Sequence, residues 1–133
     1  MCYSHYWTYN KIATNGERNK VINEIINFTN KLNFRLMFNN KDAPINNNEI
    51  IYDNIQKVEC SDHWFNTFYF NFDKTKQFSY CKTTKNKEYD LMVSLTLLSL
   101  ANNIEGFTFS SDVNISDWFD AFLHLCTFKT PIF

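Results

Sequence analysis

The first thirty residues contain two kinds of hydrophobic pattern, one typical of a strand and one typical of a helix. Large side chains occupy every second position near the N-terminus, which predicts a strand over 3–9 with one half-buried side. They are Tyr3, His5, Trp7 and Tyr9. Farther on, apolar residues recur every three or four positions, which predicts an amphipathic helix over 17–32, capped by Asn15 or Gly16. They are Val21, Ile25, Phe28 and Leu32.

Short strands separated by polar turns are predicted in the middle of the chain. Residues 36–38 and 49–53 each have the length and apolar content of a strand, and the polar segment 39–48 between them is predicted to be a loop. Apolar and polar side chains alternate over 65–72, and a second run of this kind covers 77–83 after a polar turn. This arrangement predicts a β-hairpin.

Residues 89–103 are apolar on nearly every face, which a helix at the protein surface would not tolerate. We therefore expect a buried helix there, packed against the sheet. A short strand is predicted at 107–109, and a last helix is predicted after a capping sequence at 114–117. Apolar side chains at helical spacing define the inner face of this last helix, namely Phe119, Phe122, Leu123 and Cys126.

Together these elements predict an α+β fold in a single globular domain that spans residues 1–133. The expected architecture is one mainly antiparallel sheet of five or six strands packed against about three helices, one of them the buried helix at 89–103. With 44% hydrophobic residues, the chain has enough apolar surface to form one core.

Charge and composition disfavour several classes of function. A net charge of −1 supplies no general attraction to nucleic acid or to anionic lipid, so a nucleic-acid partner is not expected. The N-terminus lacks a basic segment followed by an apolar run, and no apolar stretch has the length of a membrane span. Four widely spaced cysteines in a chain that needs no disulfide favour reduced thiols in a cytosol.

Three segments of the chain resemble sequence motifs of one family. Residues 2–7, Cys-Tyr-Ser-His-Tyr-Trp, resemble an N-terminal Gly-Tyr-Thr-His-Tyr-Trp motif. Residues 78–83, which end in Cys-Lys-Thr, and residues 87–90, which end in Tyr-Asp, resemble an aromatic-Cys-Lys-Thr strand before a Lys-Pro-Tyr-Asp helix start. Residues 109–112, Phe-Ser-Ser-Asp, with Trp118 six residues on, resemble a Ser-Ser-Asp-Gly turn before a helix that bears a tryptophan.

The family with these motifs consists of small phage, prophage and viral proteins of unsettled function. The resemblance covers the N-terminus and roughly the last sixty residues, whereas 11–62 matches weakly or not at all. It implies a viral or mobile-element setting, and with it the cytoplasm of a host cell. It implies no particular reaction.

Two of these segments carry candidate ligand-binding residues. Lys82 and Thr83 end a predicted strand, and Tyr89 and Asp90 begin a predicted helix, so the backbone N–H groups of that helix could receive a small anion such as a phosphate. Hydroxyls and a carboxylate precede the last predicted helix and could bind a ribose. With the other family-like positions, the remaining candidates are Ser110, Ser111, Asp112, Trp118, His5 and Trp7. The structural alternative is that these residues cap helices, form turns and fill the core.

A second set of residues has the composition of a zinc site. Cys2-x-x-His5 and Cys60-x-x-His63 repeat one four-residue unit, and two thiolates with two imidazoles suffice for a tetrahedral zinc ion. The alternative is that His5 and His63 are hydrogen-bonded, partly buried rings. Zinc is the one cofactor that the sequence suggests.

Three functions from different classes follow. The leading hypothesis is a viral or mobile-element accessory protein that binds a host protein without catalysis, for counter-defence or host takeover, because the aromatic content offers interface anchors and no catalytic motif is evident. The alternative is a protein that binds or sequesters a small ligand, a nucleotide or another anion. A zinc-dependent enzyme that uses His5, Cys60 and His63 ranks third, and self-association into a homo-oligomer is compatible with all three.

Overall fold

A computed structural model of the chain describes residues 2–39, 41–53, 67–75, 77–84 and 88–111. Within these ranges the chain forms seven strands and two helices. The strands are β1 (Cys2–Tyr9), β2 (Met37–Phe38), β3 (Lys41–Asp42), β4 (Glu49–Asp53), β5 (Thr67–Asn71), β6 (Gln77–Thr84) and β7 (Phe107–Ser111). The helices are α1 (Asn15–Leu32) and α2 (Glu88–Asn103).

The strands form two antiparallel sheets. One has three strands in the order β6-β1-β7, and the other has four in the order β3-β2-β4-β5. The predicted α+β class is confirmed, but the described strands are divided between two sheets where one was expected. The predicted last helix and the core face assigned to it lie in 112–133, outside the described residues.

The predicted hairpin is wrong, because its two strands belong to different sheets. β5 pairs along its whole length with β4, from Glu49↔Asn71 to Asp53↔Thr67. β6 pairs with β1 in a ladder of eight residue pairs, from Cys2↔Thr84 to Tyr9↔Gln77. The alternating pattern identified both strands, but a period of two does not specify which partner a strand chooses.

The N-cap of helix α1 lies one residue before Asn15, the earlier of the two predicted caps. Thr14 is the N-cap: its hydroxyl accepts from the backbone N–H of Glu17 at 3.1 Å, and the Glu17 carboxylate accepts from the Thr14 N–H at 2.8 Å. This is a capping box, and Asn15 and Gly16 are already helical. The backbone N–H groups of Thr14 and Glu105 lower the pKa of Glu17, so the box weakens as the pH falls through that lowered value.

The predicted loop at 39–48 contains a short piece of sheet. Lys41 and Asp42 form β3, which pairs with β2, and Ile45 makes an isolated bridge to Ile50. The Ala43 N–H also donates to the Leu36 carbonyl at 3.1 Å. A two-residue strand leaves too short a pattern for periodicity to detect.

Helix α2 is the buried helix that the sequence predicted at 89–103. Seven of its apolar side chains belong to the core: Tyr89, Met92, Val93, Leu95, Leu97, Leu98 and Leu100. It contacts α1 on one side and β6 and β7 on the other. Two of its buried polar side chains are hydrogen-bonded: Thr96 donates to the Met92 carbonyl at 2.7 Å, and Ser99 donates to Glu24 of α1 at 2.7 Å. Neither helix in the described part of the chain is both long and apolar enough to cross a membrane.

Aromatic rings connect the two sheets. Trp7 of β1 stacks on Phe68 of β5 with ring centroids 5.1 Å apart, and Tyr9 meets Phe70 edge-on at the same distance. Offset and edge-to-face pairs of this kind contribute about 0.5–1.5 kcal/mol each beyond the area they bury. The aromatic side chains whose burial the structure gives, which exclude those of Tyr3, Phe78 and Tyr80, are buried or half-buried. Among the same residues, the exposed large hydrophobic side chains are Ile12 and Ile26.

Tyr9 adds a polar link inside this aromatic core. Its hydroxyl donates to the Phe72 carbonyl at 2.9 Å and accepts from the Ala13 N–H at 2.7 Å, and the residue is fully buried. One hydroxyl thereby pairs two backbone groups that water does not reach. It joins the end of β1 to the residue that follows β5 and to the approach to α1.

We expect Tyr9→Phe to lower the free energy of unfolding by about 1–3 kcal/mol, because it leaves a buried N–H and a buried carbonyl without their partner while the ring stays in place. Urea denaturation measures the change. Tyr69→Phe is the matched control: the Tyr69 hydroxyl accepts from the half-buried Asn71 amide at 3.2 Å, so its removal should cost less than about 0.5 kcal/mol. Equal losses in the two variants would contradict the assigned role of Tyr9.

The same residue predicts a dependence of stability on alkaline pH. Burial raises the pKa of Tyr9 above its ordinary value of 10.0, partly offset by the hydrogen bond from Ala13. The neutral phenol is therefore favoured in the folded state, and its contribution is complete below pH 10.0 and lost as the pH rises through the raised value. We expect the stability difference between the wild type and Tyr9→Phe to be constant from pH 7 to about 9.5 and to shrink above that range in urea unfolding. A stability difference that grows as the pH rises would contradict a raised pKa of Tyr9 in the folded state.

Candidate functional site

Four segments of the chain meet at one end of the three-stranded sheet. β1 begins there, and β6 and β7 end there, because both run antiparallel to β1. In the register, His5 of β1 lies between Cys81 of β6 and Ser111 of β7. Helix α2 begins at the same end, since Asp90 in its first turn bonds to His5.

The side chains of His5, Asp90 and Ser111 form one hydrogen-bonded chain, which we call the polar cluster. The distance from His5 Nδ1 to Ser111 Oγ is 2.6 Å, and that from His5 Nε2 to Asp90 Oδ1 is 3.1 Å. The His5 side chain is 1% exposed, that of Asp90 is 13% exposed, and Ser111 is half-buried. The imidazole is therefore enclosed, and Ser111 is the least buried member of the cluster.

Local structure explains why these three side chains meet. His5 shares the inner face of β1 with Trp7 and Tyr9, as the alternation predicted. Asp90 lies in the first turn of α2, where a carboxylate interacts favourably with the helix dipole. Ser111 is the register partner of His5 and lies opposite it on the same face of the sheet.

The partners of the imidazole determine where its proton lies. A carboxylate only accepts hydrogen bonds, so His5 Nε2 must donate to Asp90. In the neutral ring the other nitrogen, Nδ1, is then an acceptor, and the Ser111 hydroxyl donates to it. Ser111 Oγ thus gives its proton to the ring and keeps its lone pairs for another partner.

The two adjacent serines of the predicted site lie on opposite faces of β7. Ser111 pairs with His5 on the inner face, whereas Ser110 pairs with Tyr6 in the register and is exposed. Ser110 lines a shallow outer pocket of about 230 Å³ with Tyr6, Thr8 and Thr108. Of the two hydroxyls, only that of Ser111 belongs to the polar cluster.

Two aromatic members of the predicted site are part of the core. Tyr89 is buried and meets Tyr52 edge-on, with centroids 5.7 Å apart, which agrees with the structural alternative for this residue. Trp7 is 2% exposed and stacks on Phe68, but its indole N–H has no hydrogen-bond partner among the described residues. A buried N–H group without a hydrogen-bond acceptor is uncommon in folded proteins.

The remaining predicted ligand-binding residues are only partly described. The backbone register places Lys82 opposite Ser4 and Thr83 opposite Tyr3, next to the polar cluster and a few residues before α2 begins. Asp112 and Trp118 lie outside the described residues. A role for these four residues in ligand binding stays a prediction.

The four predicted zinc ligands are also only partly described. Cys60 and His63 lie outside the described residues, and Cys2 is at the start of β1. Both ring nitrogens of His5 are hydrogen-bonded within the polar cluster. The described residues contain no group of three or more side chains suited to hold a metal ion. The zinc set stays a prediction.

A larger concavity lies away from the polar cluster. It is a groove of about 520 Å³ between the C-terminal half of α1 and the segment from Asn33 to Ile45. Exposed Ile26 lies on one of its walls, and Arg35 and Asp42, which form an ion pair at 2.7 Å, lie on another. The groove contains none of the predicted site residues.

In comparisons with protein-family models, curated proteins and solved structures, nothing matches this chain. The polar cluster must therefore be interpreted from its own geometry.

Sequence reasoning singled out His5, Asp90 and Ser111 separately but did not join them into one hydrogen-bonded set. The contacts among the three depend on the β1–β7 register and on where α2 begins. Asp90 is 85 positions from His5 in the chain, and Ser111 is 106 positions from it. The available signal was that each of the three family-like segments carries small polar or ionisable residues next to aromatic ones.

The geometry predicts the tautomer of His5. We expect long-range ¹H–¹⁵N NMR of the neutral imidazole to show the proton on Nε2 and none on Nδ1. Ser111→Ala should leave this tautomer in place, because Asp90 determines it. Asp90→Asn should remove the preference, because an amide can turn either its oxygen or its NH₂ group to the ring. Protonated Nδ1 in the wild type would contradict the assignment.

Proposed function

We propose that this chain binds a small polar molecule at the polar cluster. The observation that carries the proposal is the buried imidazole of His5, bonded on one side to Asp90 and on the other to Ser111 at one end of the three-stranded sheet. Small-molecule sites in proteins combine mostly apolar walls with a few polar groups that point to one place. The cluster combines such polar groups with buried aromatic residues close by in the chain, Trp7 on β1 and Tyr89 on α2.

The ligand that fits these groups carries hydroxyl donors. Ser111 Oγ donates its own proton to His5, so it offers lone pairs to the ligand, and the Asp90 carboxylate accepts as well. The Trp7 N–H, which has no partner among the described residues, needs a hydrogen-bond acceptor. Trp7 is a diagonal neighbour of Ser111 on the same face of the sheet, about 7–8 Å away. A sugar hydroxyl can both donate and accept, so it suits the two requirements together.

An anionic group on the same ligand would face the start of α2. The first backbone N–H groups of a helix lack partners within the helix and attract negative charge. The backbone positions of Lys82 and Thr83 lie at the same end of the sheet. A ribose next to a phosphate, as in a nucleotide, combines both features.

Two further considerations favour a small ligand over a host protein. The hypothesis of protein binding rested in part on exposed aromatic anchors, and the aromatic side chains whose burial the structure gives are buried or half-buried. In addition, each of the three segments that resemble the phage and viral family supplies one member of the polar cluster. We therefore propose ligand binding as the function and retain the viral setting and the host cytoplasm as its proposed context.

A thermal-shift assay with nucleoside mono-, di- and triphosphates at millimolar concentration tests this proposal. A specific ligand at about 100 times its Kd stabilises the folded state by about 2.7 kcal/mol, which raises the Tm by several degrees. Ser111→Ala should abolish the shift, because the ligand loses its contact at the cluster. Ser110→Ala is the matched control, since the same substitution one residue earlier lies on the outer face, and it should keep the shift. No stabilisation of the wild type by any of these compounds would count against the nucleotide class.

A further inference from the structure

We propose that Ser111 is a nucleophile, with His5 as its general base and Asp90 as a positioning residue, and that the site cleaves a carboxylic ester. The inference rests on the proposed function, because the substrate would occupy the same cluster. It goes beyond binding in assigning a covalent step to one oxygen atom.

The hydrogen-bonded chain has the parts that nucleophilic catalysis by serine requires. A serine hydroxyl is a weak nucleophile until a neighbouring base takes its proton, and the base must in turn be oriented by a third group. Ser111 Oγ lies 2.6 Å from His5 Nδ1, and Asp90 holds the opposite nitrogen at 3.1 Å, both within hydrogen-bonding reach. Asp90 keeps the ring in the tautomer in which Nδ1 accepts a proton. The two ring nitrogens exchange roles relative to the usual serine triad, but either nitrogen of imidazole can act as the base.

Of the three residues, the proposed base is the most buried and the proposed nucleophile is the least buried. The side chain of the base is 1% exposed, so bulk water is kept from its ring, while Ser111 is half-buried. The member of the cluster that is assigned the attack on the substrate is thus the one with the most exposure.

The reaction balances without a metal or a redox partner. The Ser111 proton moves to His5 Nδ1 as Oγ bonds to the carbonyl carbon of the ester, and the alcohol then leaves with that proton, which gives an acyl-serine. Water, deprotonated by His5 at the same nitrogen, attacks the acyl carbon, and the acid leaves as Ser111 recovers its proton. The overall change is ester plus water to acid plus alcohol.

Charge favours a carboxylic ester over a phosphodiester. The Asp90 carboxylate lies two hydrogen bonds from Ser111 Oγ and disfavours negative charge on the group that Oγ attacks, whereas an ester carbonyl is neutral. Because the proposed ligand presents hydroxyl groups to the cluster, the substrate class is an acyl ester on a hydroxyl group of a sugar-like alcohol.

The experiment treats the full chain with a fluorophosphonate and measures the adduct by intact mass and peptide mapping. We expect one adduct on Ser111 in the wild type, the same labelling rate in Ser110→Ala, and no adduct in Ser111→Ala. Asp90→Asn should label at least about 100-fold more slowly near neutral pH, and the deficit should shrink as the pH rises and hydroxide replaces the base. Circular dichroism and the Tm establish that each variant is folded.

A folded wild type that stays unlabelled would overturn the inference, as would an adduct that persists in Ser111→Ala. A rate in Asp90→Asn equal to that of the wild type at every pH would remove the role of Asp90. The outcomes separate this inference from the proposed function. Stabilisation by nucleotides without labelling refutes the nucleophile alone, and labelling without stabilisation refutes the nucleotide ligand alone. Slower labelling in the presence of a stabilising nucleotide supports both at one site.

Discussion

The requirement to satisfy a buried imidazole organises one end of the three-stranded sheet. His5 has two polar ring nitrogens and almost no contact with water, so each nitrogen needs a protein partner. One partner comes from the start of α2 and the other from the end of β7. Leaving either nitrogen unpaired would cost about 1–3 kcal/mol, a large share of the stability of a small domain. The position of the helix relative to the sheet is therefore tied to the polar chemistry of one side chain.

The aromatic interior makes this arrangement rigid. Rings of β1 stack on rings of β5, so the strand that carries His5 is held to the second sheet as well as to its neighbours in the first. The Tyr9 hydroxyl bonds to backbone at both the approach to α1 and the residue after β5. A site on a strand fixed from both sides keeps its geometry better than a site on a loop. The aromatic rings of β1 and β5 thus have a structural role in joining the two sheets.

The sequence predicted those features that depend on local periodicity. The body of α1 follows from apolar residues at helical spacing, and α2 follows from a run that is apolar on every face. The first strand follows from alternation over Tyr3 to Tyr9. What the sequence did not predict is pairing over long distances: β6 joins β1 and not β5, because the complementary surfaces of the two strands come together only in the folded chain. The cap at Thr14 is a different kind of error, since the Thr-x-x-Glu pattern was present in the sequence and the neighbouring Asn-Gly was preferred.

The division of the two serines shows how strictly the register controls the site. Ser110 and Ser111 have the same chemistry and adjacent positions, yet only Ser111 reaches His5, because successive residues of a strand face opposite sides. A shift of one residue between β1 and β7 would direct Ser111 to the exposed outer face and Ser110 to the imidazole. The pairs Trp7↔Phe109 and Tyr9↔Phe107 oppose such a shift, because it would also move Phe107 out of the core. Hydrophobic packing along β7 therefore selects which hydroxyl completes the polar cluster, so the aromatic core and the polar chemistry at its end depend on the same strand alignment.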